Sequence, residues 1–149
     1  MRHNQGFTLL ELMITIAILA ILVAIATPSM RTFIQRNQVS AQIRDLSSFV
    51  QEVRGKAVLE RRPYTLTINA STSGGGSVMG NDGTASWTPD SDYITLTGNN
   101  MLVFGLMGTI DTNEACYAIA HTNNAAIVQV LIINKNGSAK IFTDKTTCQ

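Results

Sequence analysis

The sequence predicts an α+β fold in which a long N-terminal helix, apolar in its first half and amphipathic in its second, packs on an antiparallel β-sheet. Three observations predict it. An unbroken apolar run lies near the N-terminus, a helical stripe follows it, and beyond Pro63 the period of the pattern drops to two. At 149 residues the chain has the length of one ordinary domain. Its apolar share of 45% is that of an average soluble protein, but those residues are concentrated at the beginning.

From Leu12 to Ala26 there is no charge, and Thr15 is the one polar interruption before Thr27. Such a segment cannot be one face of a soluble helix and calls for lipid or a bundle core. Phe7 to Thr27, at about 1.5 Å per residue, covers roughly 30 Å, the thickness of the hydrocarbon layer of a bilayer. A cleavable secretory signal also sets a basic start before an apolar run. Here, however, Ala26-Thr27-Pro28 leads into a long helical pattern and not into a new N-terminus. The basic group Met1-Arg2-His3 keeps its end cytoplasmic by the positive-inside tendency, so the remainder faces outward.

After Pro28, Val39, Ile43, Leu46, Val50, Val53 and Ala57 recur at alternating spacings of four and three, one stripe of a helix. Arg36, Gln42, Arg44, Gln51, Glu52 and Glu60 fall on the other face. The helix is expected to stop near Arg62, because Pro63 disfavours helical geometry in the residue before it. Tyr64–Asn69 then alternates as a strand. Ser71 to Gly83, with five glycines among small polar residues, reads as a loop, and Trp87 as a packing anchor beneath it. Further strands are expected at 93–97, 101–104, 117–121, 127–134 and 139–143, the last two joined through Asn136-Gly137, a strong hairpin signal.

Charge is unevenly distributed. The stretch 29–63 is net +4, 64–133 has no Lys or Arg and is net −5, and the tail is net +2. Such asymmetry can orient a subunit against neighbours or an anionic ligand. Cys116 and Cys148 both lie in the outward part, where an oxidising compartment would let them pair, adding about 3–4 kcal/mol in the chain-entropy model. Two free buried thiols are the alternative. His121, the one histidine beyond the leader, has no matching ligand set, so no metal and no cofactor are expected. Scattered acids and that lone histidine offer no nucleophile with an adjacent base, so no catalytic residues are expected and a membrane-anchored enzyme is the weaker reading.

Gly6-Phe7-Thr8-Leu9-Leu10-Glu11 is the most specific motif: a short basic leader ends in Gly, Phe and an apolar run follow, and one Glu stands five residues past the Gly. It resembles the class III signal of type IV pilins and type II secretion pseudopilins. The resemblance implies cleavage by a prepilin peptidase between Gly6 and Phe7 and methylation of Phe7 as the new N-terminus. It also implies a leader at 1–6, a membrane and filament-core helix at 7–28 with Pro28 where the family kinks its helix, and an outward periplasmic domain at 29–149, made of helix 29–62 and sheet 64–149. A carboxylate inside an apolar helix costs about 2.5–3.5 kcal/mol on insertion scales and marks function. In these families the residue matching Glu11 pairs with the terminal amine of a neighbouring subunit.

A second likeness covers Phe49–Arg62 leading into Tyr64-Thr65-Leu66, which is similar to the "ARSEAV..R" helix end of the GspH/FimT group, with Gly55 and Lys56 departing from its Ser and Glu. It implies a minor subunit of a type IV pilus, or alternatively a minor pseudopilin of a type II secretion system. A major pilin closing its C-terminal loop with a disulfide is a third possibility. The implied partners are other pilins or pseudopilins, the prepilin peptidase and the inner membrane. FimT-type minor pilins are associated with DNA uptake through a Gly-Arg-x-Arg element in their last hairpin. Its counterpart here is Gly137-Ser138-Ala139-Lys140, which leaves Lys140 with Lys135 and Lys145 as the nearby cations. Three lysines can each neutralise a phosphate of double-stranded DNA without reading its sequence, although they lack the bidentate fork of Arg. Solvated lysines guarding a sheet edge are the alternative.

Overall fold

A computed structural model describes residues 7–70, 75–89, 92–145 and 147–148, with the backbone alone at 26–28. Helix α1 runs Leu9–Leu59, followed by β1 (Tyr64–Ile68), β2 (Gly76–Met79), β3 (Thr84–Thr88), β4 (Ile94–Gly98), β5 (Met101–Phe104), β6 (Glu114–His121), β7 (Asn124–Asn134) and β8 (Ala139–Phe142). The chain divides into two compact units, residues 1–34 and 35–149. The first is the helix start; the second holds the core.

In the second unit all six residues of the expected stripe, from Val39 to Ala57, are fully buried. Burial of that face, and not helix propensity, is what holds such a helix in place. It packs on two four-stranded sheets, ordered β2-β3-β1-β5 and β4-β6-β7-β8. Every pairing is antiparallel except β1 with β3, where Thr65 faces Thr84 in parallel register. Alternate residues point into the core, namely Tyr64, Leu66 and Ile68 of β1, Leu102 and Phe104 of β5, and Ala115, Tyr117 and Ile119 of β6. Polar contacts tie helix to sheet: the indole N–H of Trp87 donates to Asp45 Oδ2 at 2.7 Å, and the Gln129 amide donates to Ser40 Oγ at 3.0 Å.

Two expectations are corrected. The segment 71–83 is not a loop throughout, because Gly76–Met79 forms β2 and pairs antiparallel with β3, Val78 opposite Ser86. The four residues Ser71–Gly74 lie outside the described residues. Strand β2 is largely exposed, so it is held by ladder hydrogen bonds and not by burial, which composition does not reveal. Trp87 is an anchor, fully buried, but it sits inside β3. The helix ends at Leu59, three residues before Arg62 and four before Pro63, whose ring would clash with the Leu59 carbonyl in a continuing helix. Arg61 takes a left-handed φ of 49°, and the Arg62 N–H donates to Ala57 O across the last turn at 3.3 Å.

β7 is buried on both faces. Leu131 and Ile133 belong to the main core, while Val130 and Ile132, pointing the other way, are 0% and 8% exposed. Cys116, Ile132 and Lys140 stand in one row across β6, β7 and β8, and so share that outer face. The disulfide from Cys116 to Cys148, with a Cα separation of 5.6 Å, binds the C-terminal tail to this sheet.

Candidate functional site

The N-terminal segment is built for a covered environment. Thr8 caps α1: the Glu11 N–H donates to its Oγ1 at 3.2 Å, and the Leu12 N–H to its carbonyl at 3.2 Å. Thr8 and Glu11 thus have the spacing of a capping box, a signal legible in the sequence but not used above. Glu11 stands in the first turn, where a carboxylate complements the helix dipole. The polar interruption is neutralised locally, since the Thr15 hydroxyl donates to Leu12 O at 2.8 Å. Large apolar residues from Leu9 to Ile25 are all more than half exposed, Leu9 at 76% and Ile25 at 70%. A surface of this kind marks a site for lipid or for other chains. Among the described residues no single helix is long and apolar enough to cross a membrane; Leu9–Ile25 and Ser29–Leu59 together have the length and composition. Gly6, expected to precede the cut, lies outside the described residues, and Phe7 is 85% exposed.

The second site is at the other end of the chain. Gly137 turns β7 into β8 with φ +74°, and the Gln51 side-chain amide donates to its carbonyl at 3.3 Å. A Cβ there would press on Gly108 O and the Arg54 side chain, so the glycine of the Gly137–Lys140 stretch serves the turn. Ser138 also fastens the turn, its N–H and hydroxyl both donating to Asn136 Oδ1. Lys140 and Lys145 are brought together over the Phe142 ring, with Nζ to centroid distances of 5.0 and 4.8 Å. Lys135 stands exposed at the turn, its carbonyl accepting from the Ile110 N–H. Phe142 had no place in the reading from sequence, although its spacing of two from Lys140 puts both on one strand face.

His121 is nearly fully buried. The Asn123 N–H donates to its Nδ1 at 3.1 Å, which leaves the proton on Nε2, 3.1 Å from Gln38 Oε1. Its ring stacks on Tyr93. Among the described residues there is no cluster of His, Cys, Asp and Glu that could hold a metal ion.

Known proteins match the two ends of this description separately. The prokaryotic N-terminal methylation motif family matches residues 1–27. A fimbrial protein of Pseudomonas aeruginosa is 40% identical over 60 residues, 40% of this chain and 38% of that protein. The type IV major alpha-pilin of Moraxella bovis is 38% identical over 73 residues, 49% of this chain and 45% of that one. The chain thus spans less than half the length of these curated relatives. The crystal structure of the type IV minor pilin FimU of Pseudomonas aeruginosa superposes with a TM-score of 0.56 at 20% identity, over 76% of this chain and 93% of that one. The chain has a type IV pilin-like fold. The pilin-like fold accounts for the packed second half.

Proposed function

We propose that this pilin-like chain is a minor subunit of a type IV pilus, held in the inner membrane as a single-pass protein until it is assembled. The observation that carries the reading is an apolar helix start with no cover, headed by the carboxylate Glu11 within a methylation motif. Prepilin peptidase would remove residues 1–6, cutting between Gly6 and Phe7, and Phe7 would be methylated. Residues 7–28 would then form the membrane and filament-core segment, and 29–149 the periplasmic domain. In the filament Glu11 would meet the amine of a neighbouring protomer's first residue, which relieves the cost of a carboxylate among apolar side chains. The same fold serves a type II secretion pseudopilin equally well. The lysines Lys135, Lys140 and Lys145 favour the pilus, with duplex DNA as their ligand during uptake.

The test is the intact mass of the protein recovered from cells with a working prepilin peptidase. The expected mass is that of a chain beginning at methylated Phe7, and a chain still beginning at Met1 overturns the reading. Glu11→Ala should be processed normally yet enter sheared filaments at least tenfold less, as a loss of about 1.4 kcal/mol or more in pairing requires.

A further inference from the structure

Two hairpin turns of the fold are built alike. In the β7–β8 turn Asn136 Oδ1 accepts the N–H of Ser138 at 3.0 Å and its hydroxyl at 2.7 Å, with Gly137 between them at φ +74°. In the β2–β3 turn Asp82 Oδ1 accepts the N–H and the hydroxyl of Thr84, with Gly83 between them at φ +90°. The sequence has one Asn-Gly and one Asp-Gly, and each falls in such a turn. Two donors aimed at one oxygen favour negative charge on it. Asp82 shows the effect, since the Thr84 hydroxyl first and the Thr84 N–H second hold its carboxyl below the ordinary range. At Asn136 the same pair of donors meets an uncharged amide, whose oxygen turns negative only when its carbon is attacked. The nucleophile at hand is the Gly137 main-chain nitrogen, which closes a succinimide ring with the Asn136 side chain and has no Cβ beside it to obstruct the closure. Asn136 is exposed, so hydroxide and water reach it.

We propose that Asn136 is a self-modification site, deamidated by attack of the Gly137 nitrogen, with the N–H and hydroxyl of Ser138 holding the oxyanion. The Gly137 N–H, which donates to Asn134 O at 2.7 Å, gives its proton to hydroxide, and the nitrogen bonds to Asn136 Cγ. The carbonyl electron pair moves to Oδ1, where the two Ser138 donors receive it. It returns as the Cγ–Nδ2 bond breaks, and ammonia leaves with a proton from water, which restores the hydroxide. Water then opens the imide at either carbonyl and leaves an aspartate linked through its α- or its β-carboxyl, with no change of oxidation state. Either product sets a carboxylate beside Lys135, in a turn that packs against the Arg54 side chain. The Asp82 turn shows that the α-linked product can keep both hydrogen bonds. The β-linked product lengthens the main chain by one methylene just before Gly137, whose carbonyl holds the Gln51 amide, and so releases the turn from the helix.

The experiment incubates the full chain in neutral detergent at neutral and at mildly alkaline pH, digests samples at intervals and follows the peptides by mass and chromatography. The peptide holding Asn136 should gain the mass of an amide turned to an acid and split into α- and β-linked forms. Its rate should rise in proportion to hydroxide and exceed that of every other asparagine. Ser138→Ala should slow it about fivefold, the factor that one hydrogen bond is worth, whereas Ser138→Thr keeps the hydroxyl and should keep the rate. Both Ser138 bonds are exposed, so these variants should unfold at the same urea concentration as the wild type. An Asn136 still intact when other asparagines have reacted overturns the site. Deamidation that Ser138→Ala leaves unchanged or speeds overturns the oxyanion hole. If Ser138→Ala does not fold, a free peptide of this stretch, in which no turn is fixed, takes its place: it should react more slowly than the folded chain, and an equal or faster rate overturns the proposal.

Discussion

Arg61 occupies a left-handed conformation, φ 49°, at the position after a helix where glycine is usual. Its neighbour accounts for the local chain path: Arg62 donates to Glu60 Oε2 at 2.7 Å and to the Tyr64 hydroxyl at 3.0 Å, and that hydroxyl donates to Glu60 at 2.8 Å. The two hydrogen bonds, the Tyr64 one first, hold the Glu60 carboxyl below its ordinary range. Tyr117 shows the opposite situation, for its hydroxyl is buried with no hydrogen-bond partner among the described residues. Burial pushes this phenol up to about 12. Tyr117→Phe removes an unsatisfied group and should raise stability by about 1 kcal/mol in urea unfolding at neutral pH. The sign in alkali follows from the same burial. Folded Tyr117 keeps its proton to about pH 12 whereas the unfolded chain loses it near pH 10. Stability is therefore complete below about pH 10 and falls as pH rises to about 12, by on the order of 2 kcal/mol. In Tyr117→Phe the fall over this window should be smaller by that amount, and an equal fall in both proteins contradicts the assignment.

Helix α1 is two helices by composition, and its second half is where packing can be tested. Leu46 is fully buried in the middle of the stripe that meets both sheets. Leu46→Ala should cost about 2–5 kcal/mol in urea unfolding, whereas Arg44→Ala, on the exposed face, should stay within about 0.5 kcal/mol. Equal effects would mean that the stripe does not face the core. This stripe was legible because helical burial repeats within a turn, so each position announces itself through its near neighbours. The β2–β3 hairpin was less legible although it carried a signal. Asp82-Gly83 lies between the strands, and the Thr84 N–H donates to Asp82 Oδ1 at 3.1 Å in the turn. The glycines of Gly74–Gly76 outweighed it, because a strand stabilised by its partner's backbone needs no apolar side chains of its own. Strand β7 shows the converse: its near-continuous run from Ile127 to Ile133 matches burial on both faces, with Val130 and Ile132 buried opposite Leu131 and Ile133.

For the whole molecule, the two ends of the chain differ in how they are held. The helix start from Leu9 to Ile25 is uncovered by any part of its own unit, while the Cys116–Cys148 bond ties the tail to the outer face of the second sheet. Opening that bond with Cys116→Ser and Cys148→Ser should lower stability by about 2–4 kcal/mol in urea unfolding, through the freedom returned to the unfolded chain. A double variant as stable as the wild type would show that the cross-link does not stabilise the fold. The sequence alone determined the long two-part helix and the motif around Gly6, Phe7 and Glu11. Each is written in neighbouring residues, where periodicity and spacing act over one or two turns. Only the tertiary structure decided the split into two sheets, the parallel pairing of β1 with β3, and the meeting of Lys140 with Lys145 at Phe142. These depend on contacts between distant segments, and such contacts are chosen by the packing of the whole chain, which no local pattern records.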